Sequence, residues 1–232
     1  MNNIPDHFSR TALLLGEETV NKLSQFRVLV VGVGGVGGHA AENIARAGIG
    51  DLTLIDGDNV DISNCNRQII ALHSTIGSLK AEILADRCKD INPEGKFTPV
   101  TKFLKTPEDI AGILAHDFDF VIDAIDDIPV KIELIRQLKK RGTPFISSMG
   151  AGGKSDPQAI KFSDISKTNG CPLARILRGK FKELHLKNIP VVYSPEVPLR
   201  KFTDRKIGSI SYIPAIFGCF CAAAAIKHLT SK

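Results

Sequence analysis

The chain has 232 residues, enough for one α/β domain with a sizeable core, and its 43% hydrophobic and 24% charged residues are ordinary for a soluble globular protein. The first ten residues contain no apolar run, which argues against a cleavable signal peptide. The five cysteines, odd in number and without regular spacing, fit a reducing cytoplasm. The formal charge of +5 is modest but uneven, because residues 167–206 hold ten Lys or Arg and three Asp or Glu.

Strands and helices alternate through the first 150 residues. One or two short helices come first, up to residue 25. Apolar runs then predict strands at 27–31, 51–55, 97–100, 118–124 and 144–148. The helices between and after them are predicted at 39–47, 78–90, 107–115 and 129–140. This alternation predicts an α/β fold, with a Rossmann-like, mostly parallel sheet and helices on both faces.

The alternation loosens after residue 150. We predict strands at 160–162 and 191–193, a basic helix at 172–184, an irregular loop at 194–209 and a final apolar helix at 213–229. The apolar run of the last helix is shorter than the roughly 20 residues of a membrane span, so we expect a buried helix and not an integral membrane protein. No internal repeat is evident, and we predict one domain over residues 1–232 with an elaborated C-terminal half.

A glycine-rich loop follows the first predicted strand. Glycines allow a tight turn there and let backbone N–H groups approach a phosphate at the N-terminus of the next helix. Asp56 ends the second strand, where a carboxylate can hydrogen-bond ribose hydroxyls. Together these features indicate a nucleotide site, for which NAD would be the default ligand. The glycines concerned are Gly32, Gly34, Gly35 and Gly37.

The segment after Asp56 favours a triphosphate over a dinucleotide. Arg67 offers a planar fork of donors and Lys80 a point charge, and such cations stabilise pyrophosphate as it leaves the α-phosphate. Asn64 could orient Arg67 or a phosphate. The candidate nucleotide residues in this segment are Asp58, Ser63, Asn64, Arg67 and Lys80.

Two carboxylates follow the strand predicted at 118–124. That end of the strand faces the ligand crevice of an open α/β sheet, and oxygen ligands suit Mg²⁺. The same residues could instead cap the helix that begins near Pro129. We expect Asp126 to bind Mg²⁺ and Asp127 to cap the helix or contact adenine.

In order and spacing, these motifs over residues 27–127 resemble the ATP site of the ubiquitin-activating type of adenylyltransferase. That superfamily includes the adenylating enzymes for molybdopterin synthase and thiamine biosynthesis. The resemblance implies that Gly35 contacts the nucleotide and that residues 1–150 are the ATP-binding half. It also implies a homodimer in which an N-terminal arginine, here Arg10, reaches the ATP site of the partner. Residues 151–232 would then serve substrate binding and dimerisation.

The second half of the chain separates the branches of this superfamily. Bacterial sulfur-carrier adenylating enzymes usually hold zinc with two C-x-x-C pairs; this sequence has none, so we expect no structural zinc. The segments at 7–18, 167–175 and 205–218 resemble the tRNA threonylcarbamoyladenosine dehydratase family. This resemblance implies an ATP-dependent ligase-type enzyme that adenylates the carboxylate of threonylcarbamoyladenosine in tRNA and cyclises it.

The basic stretch is the expected tRNA contact. Its candidate residues are Arg175, Arg178, Lys182, Arg205 and Lys206. Such a stretch can meet a polyanion, but it is more often a solvated face. A sulfur-relay protein is a possible further partner.

Three readings stay open. The chain could adenylate the C-terminal glycine of a ubiquitin-like sulfur carrier, although the missing zinc pairs argue against this. It could be an NAD-binding oxidoreductase or a nucleotide sensor, although Arg67, Lys80 and Asp126 argue against that. Cys171 could be a nucleophile, but no His lies close to it in sequence and intramolecular cyclisation needs no thiol.

Overall fold

A computed structural model of the protein describes residues 4–200 and 207–231. Within them the chain forms a seven-stranded sheet with the strand order β3-β2-β1-β4-β5-β7-β6. All neighbouring strands run parallel except β6 and β7, which pair antiparallel. The strands are β1 (Arg27–Val31), β2 (Asp51–Ile55), β3 (Lys96–Val100), β4 (Phe120–Asp123), β5 (Phe145–Ser148), β6 (Lys161–Asp164) and β7 (Pro190–Tyr193). The predicted α/β class is confirmed.

The helices cover both faces of the sheet, as predicted. One apolar core lies between the sheet and α3, α4 and α8, and a second lies between the sheet and α5, α6 and α7. The helices of the described residues are α1 (Ser9–Leu15), α2 (Glu17–Leu23), α3 (Gly37–Arg46), α4 (Lys80–Ile91), α5 (Pro107–Ile113), α6 (Ile128–Arg141), α7 (Pro172–Glu183) and α8 (Tyr212–Thr230).

Several predicted boundaries shift by one or two residues, and two of the differences from the prediction have a clear local cause. Helix α3 begins at Gly37, two residues earlier than expected, because the last glycines of the loop already form its first turn. Residues 57–73, for which the sequence predicts neither a strand nor a helix, contain a short 3-10 helix at Ile62–Asn64. Asp61 caps this helix with its side chain, a local hydrogen bond that hydrophobic periodicity does not report.

Helix α8 is buried along one side. Its inward stripe recurs every four residues and consists of Ile213, Phe217, Cys221, Ala225 and Leu229, each at most 2% exposed. Within the described part of the chain it is the one helix long and apolar enough, by length and composition, to cross a membrane. Its packing is that of a core helix, since the stripe belongs to the same core as α3 and the sheet.

Helices α3 and α8 approach each other closely at Gly218. A Cβ at this position would lie 2.5 Å from the carbonyl oxygen of Val36 and 2.7 Å from the Cβ of His39. Because Val36 and His39 belong to the start of α3, the close approach brings the C-terminal helix up to the glycine loop. The two predicted parts of the chain, residues 1–150 and 151–232, therefore pack directly against each other.

Gly218→Ala should destabilise the protein by about 1–3 kcal/mol, because the new methyl group meets backbone atoms that cannot rotate away. The measurement is urea unfolding followed by circular dichroism. Gly179→Ala is the matched control, since Gly179 is also inside a helix but has no atom within 4 Å of its Cβ position. That change should stabilise by roughly 0.5–1 kcal/mol. Equal effects of the two changes would contradict the close helix contact.

Candidate nucleotide site

The glycine loop is a narrow turn between β1 and α3. Gly32 has φ +82 and its N–H donates to the carbonyl of Ile55 at 2.8 Å. A Cβ at Gly37 would overlap the carbonyl oxygen of Gly32, so no side chain is possible there. Helix α3 has no side-chain N-cap and no acidic residue in its first turn. Its N-terminal N–H groups are thus directed at a position that suits an anion such as phosphate.

Asp56 ties this loop to the end of β2. Its carboxylate accepts the N–H of Val33 and the N–H of Asp58, both at 2.9 Å. Burial raises the pKa of Asp56, and the two N–H donors act in the opposite direction. The side chain is half-buried at the edge of the loop. The predicted ribose contact would use the remaining lone pairs of this carboxylate.

Lys80 begins α4 and is buried at 6% exposure. Its Nζ lies 2.9 Å from Oδ2 of Asp58, and its N–H donates to the Asp58 carbonyl at 3.0 Å. Asp58 is itself exposed. The structure therefore places Asp58, predicted as a nucleotide contact, as the ion-pair partner of Lys80.

Arg67 lies across the glycine loop. Its Cγ is 3.4 Å from the Cβ position of Gly35, which brings the first and second sequence motifs together. The guanidinium donates to the carbonyl of Ser63 at 3.0 Å and to Oδ1 of Asn66 at 2.8 Å. Asn66, and not Asn64, thus orients Arg67 in this structure.

Asn64 has a structural role in the loop that carries Arg67. It is buried, and its Oδ1 accepts the N–H of Asp61 at 3.1 Å, while Asp61 accepts the N–H of Ser63 at 2.8 Å. These reciprocal bonds form a capping box on the 3-10 helix. Asn64 therefore holds the loop that carries Arg67, and its predicted phosphate contact stays a prediction.

Sequence reasoning assigned no role to three further residues here. Gln68 is buried with Nε2 3.6 Å from the Cβ position of Gly34, and its Oε1 has no hydrogen-bond partner in the described parts of the chain. Pro214, on α8, is 3.1 Å from the Cβ position of Gly35. Burial lowers the pKa of His39, whose ring also interacts with the Arg67 backbone. Of these three residues, only Gln68 could have been suspected from the sequence, because it directly follows Arg67.

The two carboxylates after β4, Asp126 and Asp127, have different environments. Asp127 is the N-cap of α6, and its Oδ1 accepts the N–H of Val130 at 3.0 Å. Asp126 is exposed and makes no hydrogen bond or ion pair with any other described residue. Among residues 4–200 and 207–231 no cluster of three or more His, Cys, Asp or Glu could hold a metal ion. Mg²⁺ at Asp126 would therefore take its other ligands from phosphates and water, as Mg²⁺ commonly does.

Similarity to known proteins identifies the family of this chain. A family model, that of the ThiF family, matches residues 8–232. The chain belongs to the ThiF family. It is 42% identical over 205 residues to the tRNA threonylcarbamoyladenosine dehydratase of Bacillus subtilis, covering 87% of this chain and 80% of that protein. To the protein of the same name from Escherichia coli it is 43% identical over 252 residues, covering 97% and 94%.

Solved structures of the E. coli protein resemble the whole fold. The crystal structure in complex with ATP superposes with a TM-score of 0.92 at 36% identity, and covers 99% of this chain and 97% of that one. The complex with AMP also gives a TM-score of 0.92 at 36% identity, with 100% and 98% covered. This ThiF-family chain, including its glycine loop, therefore shares its fold with a protein whose structure has been solved with ATP and with AMP bound.

The basic residues of this ThiF-family chain are only partly exposed for a polyanion. Arg175 and Lys182 are exposed on α7. Arg178 instead donates to the carbonyl and the hydroxyl of Thr168, at 2.8 and 2.7 Å. Arg178, predicted as a tRNA contact, thus also has a structural role, because it holds Thr168 to α7. Arg205 and Lys206 lie outside the described residues.

Cys171 is 3% exposed and directly precedes α7. Its Sγ lies 3.7 Å from the Cβ position of Gly150, inside the packed core. Cys88 and Cys221 are also buried, and burial raises the pKa of each thiol to about 12. Cys65 packs, partly buried, against the core that contains α3. The burial of these cysteines favours packing roles, since a nucleophilic cysteine needs access to its substrate.

Asn64→Ala should lower the free energy of unfolding by about 0.5–2 kcal/mol, because it removes a buried cap. Asn66→Ala should change it by less than about 0.5 kcal/mol, since Asn66 is exposed. Guanidinium unfolding of the two single variants makes the comparison. A larger loss in Asn66→Ala than in Asn64→Ala would contradict the assigned division of roles.

Proposed function

We propose that the chain uses ATP to adenylate a carboxylate, and that this carboxylate belongs to N6-threonylcarbamoyladenosine in tRNA, which is then cyclised. The observation that supports it most is the packing of Arg67 on the glycine loop. A guanidinium beside the N-terminus of α3 suits a triphosphate attacked at its α-phosphorus. Two relatives at 42% and 43% identity are named tRNA threonylcarbamoyladenosine dehydratase, which supports the choice of substrate.

The chemistry balances without a covalent enzyme intermediate. A carboxylate oxygen attacks the α-phosphorus of ATP, and the bond to the bridging oxygen breaks as pyrophosphate leaves. A nitrogen or oxygen of the same side chain then attacks the activated carbonyl carbon, loses its proton and expels AMP. The substrate has lost one water overall. Because attacker and electrophile share one side chain, proximity favours the second step.

The two site cations would act in the first step. Pyrophosphate gains charge as it leaves, and cations fixed beforehand stabilise that charge most effectively. Arg67 is already fixed by two oxygen acceptors, and Lys80 is held by Asp58. Asp126 would hold Mg²⁺, which supplies charge neutralisation between the phosphates when bound. The exposed carboxylate of Asp126 and its lack of a partner among the described residues support this assignment.

A homodimer fits the surface of α1. Leu13 and Leu14 are 88% and 82% exposed, an apolar pair that a second copy could cover. Arg10 lies on the same helix. Phe8, just before α1, contacts Gly48, which follows the C-terminus of α3. The glycine loop lies at the opposite, N-terminal end of that helix. Since the ten residues of α3 span about 15 Å, Arg10 is poorly placed for its own ATP site and better suited to a partner's.

The proposed function also includes contact with tRNA phosphates, a cytoplasmic location and one further protein partner. Arg175 and Lys182 are the exposed basic residues through which α7 would meet tRNA phosphates. A cytoplasmic location fits a chain with free cysteines throughout its described part. A sulfur-relay protein stays a possible partner, without a surface assigned to it.

The decisive experiment is mass spectrometry of nucleosides from tRNA that carries threonylcarbamoyladenosine, after incubation with the protein, ATP and Mg²⁺. We expect ATP-dependent loss of one water from the modified nucleoside, with AMP and pyrophosphate formed. If no cyclised product forms, and a ubiquitin-like sulfur carrier stimulates exchange of pyrophosphate into ATP, the substrate is the carrier protein and not tRNA. Tight binding of NAD without binding of ATP would overturn both.

Arg67→Ala should reduce the rate of that reaction by roughly 100- to 1000-fold, by analogy with the loss of one donor to a developing charge. The thermal midpoint should hardly change, since Arg67 is only partly buried. Arg136→Ala serves as control, because Arg136 pairs with Glu133 on the surface of α6, away from the loop. Near-parent turnover by Arg67→Ala would show that this arginine does not act on ATP.

If Arg10 acts in the partner's site, Arg10→Ala and Arg67→Ala proteins should rescue each other after subunit exchange. Random exchange makes about half of the dimers mixed, each with one intact site of two, so about a quarter of parent activity should return. Mixing Arg67→Ala with Lys80→Ala is the control, since both residues belong to one chain's site and no intact site can form. A fully active monomer would rule out the trans role.

A further inference from the structure

The end of β4 contains a fully buried ion pair that the proposed reaction does not use directly. Lys131, on α6, and Asp123, the last residue of β4, are both 0% exposed, with the Nζ 2.9 Å from each carboxylate oxygen. The hydroxyl of Ser147 donates to Oδ2 of Asp123 at 2.6 Å. Buried ion pairs are weak contributors to stability, because apolar residues of similar volume often stabilise as well or better. A positional function would account for this pair.

The pair holds the short loop Ala124–Asp127. Lys131 Nζ also donates to the carbonyl of Ile125 at 2.9 Å, and the Ile125 N–H donates to Asp123 at 3.3 Å. The Ala124 N–H donates to Val31 at 2.9 Å, and Asp127 caps α6. In this loop, Asp126 alone among the side chains able to hydrogen-bond has no partner within the described residues.

The same loop forms the wall of the glycine turn. A Cβ at Gly32 would lie 2.9 Å from the carbonyl oxygen of Ala124 and 3.0 Å from Ile125. A Cβ at Gly37 would lie 3.2 Å from that of Ala124. Because the Ala124 part of this wall is tied separately to Val31, a shift of the Ile125 carbonyl would chiefly move the base of Asp126 relative to the glycine loop.

We propose that Lys131 is a positioning residue: through Asp123 and the Ile125 carbonyl it fixes Asp126 beside the glycine loop for the binding of Mg²⁺ with ATP. The inference rests on the proposed function only in taking ATP with Mg²⁺ as the ligand, and it is independent of tRNA. Lys131 itself is buried and does not touch the nucleotide.

The test measures binding by calorimetry on the full chain, with ATP titrated at a series of Mg²⁺ concentrations. The variant is the neutral double change Asp123→Asn with Lys131→Met, which leaves no unpaired buried charge and keeps an acceptor for Ser147. Its Mg²⁺ concentration for half-maximal ATP binding should rise at least tenfold, while ATP binding without Mg²⁺ stays within about twofold of the parent. Leu177→Ala, in the core under α7, is the control for a general loss of stability, and should leave both quantities unchanged.

A double-mutant comparison separates positioning from other effects. Asp126→Asn alone should raise the same Mg²⁺ midpoint, and adding it to the Asp123→Asn, Lys131→Met protein should raise it no further. Fully multiplicative effects, or an unchanged midpoint in the Asp123→Asn, Lys131→Met protein, would overturn the proposal. If that protein does not fold, Lys131→Arg replaces it, with the same non-additivity required. Failure of the proposed tRNA reaction would appear separately, as Mg²⁺-dependent ATP binding without cyclised product.

Discussion

The contact between Gly32 and Gly37, at the two ends of the glycine turn, determines how closely the surrounding elements can pack against this turn. Gly32 and Gly37 leave no room for a side chain between the end of β1 and the start of α3. This bare backbone is then approached from three sides, by Ala124 after β4, by Arg67 before α4 and by Pro214 on α8. Atoms from distant parts of the sequence therefore meet around one turn, and its N–H groups are presented in a rigid setting.

The hydrogen-bond and ion-pair partners of Arg67 and Lys80 leave the positive charge of these side chains available to a phosphate. The guanidinium of Arg67 donates to neutral oxygens, so its full positive charge remains for a phosphate. Lys80 is paired with Asp58, whose exposed side chain can exchange this partner for solvent when a phosphate arrives. Lys131 is the contrasting case, because its charge is neutralised inside the core by Asp123. Of these three cations, only Arg67 and Lys80 therefore keep a charge that the proposed transition state could use.

The sequence could predict the elements and motifs whose signals are local. β1 is apolar throughout, and the glycine loop, Asp56 and the Asp127 cap each follow from neighbouring residues. It could not predict that Arg178 would bind Thr168, because the nine intervening residues form a turn and a helix start with no periodic signal. For a similar reason the sequence could not show that Asn66, and not Asn64, orients Arg67, since only the folded loop decides which amide faces the guanidinium. Contacts such as Pro214 with the glycine loop join residues almost 180 positions apart and leave no trace in local pattern.

The division of the chain into a nucleotide half and a substrate half is less sharp in the structure than in the sequence. Strand β7 pairs with β5, and Asn66 donates to the carbonyl of Ser209 at 3.1 Å, beside the segment that begins α8. Pro214 then packs on Gly35 and Gly218 on the start of α3. Since packed interiors transmit displacement, a change in α8 must be felt at the glycine loop. The second half of the chain is thus part of the wall of the nucleotide site, whatever it binds on its outer surface.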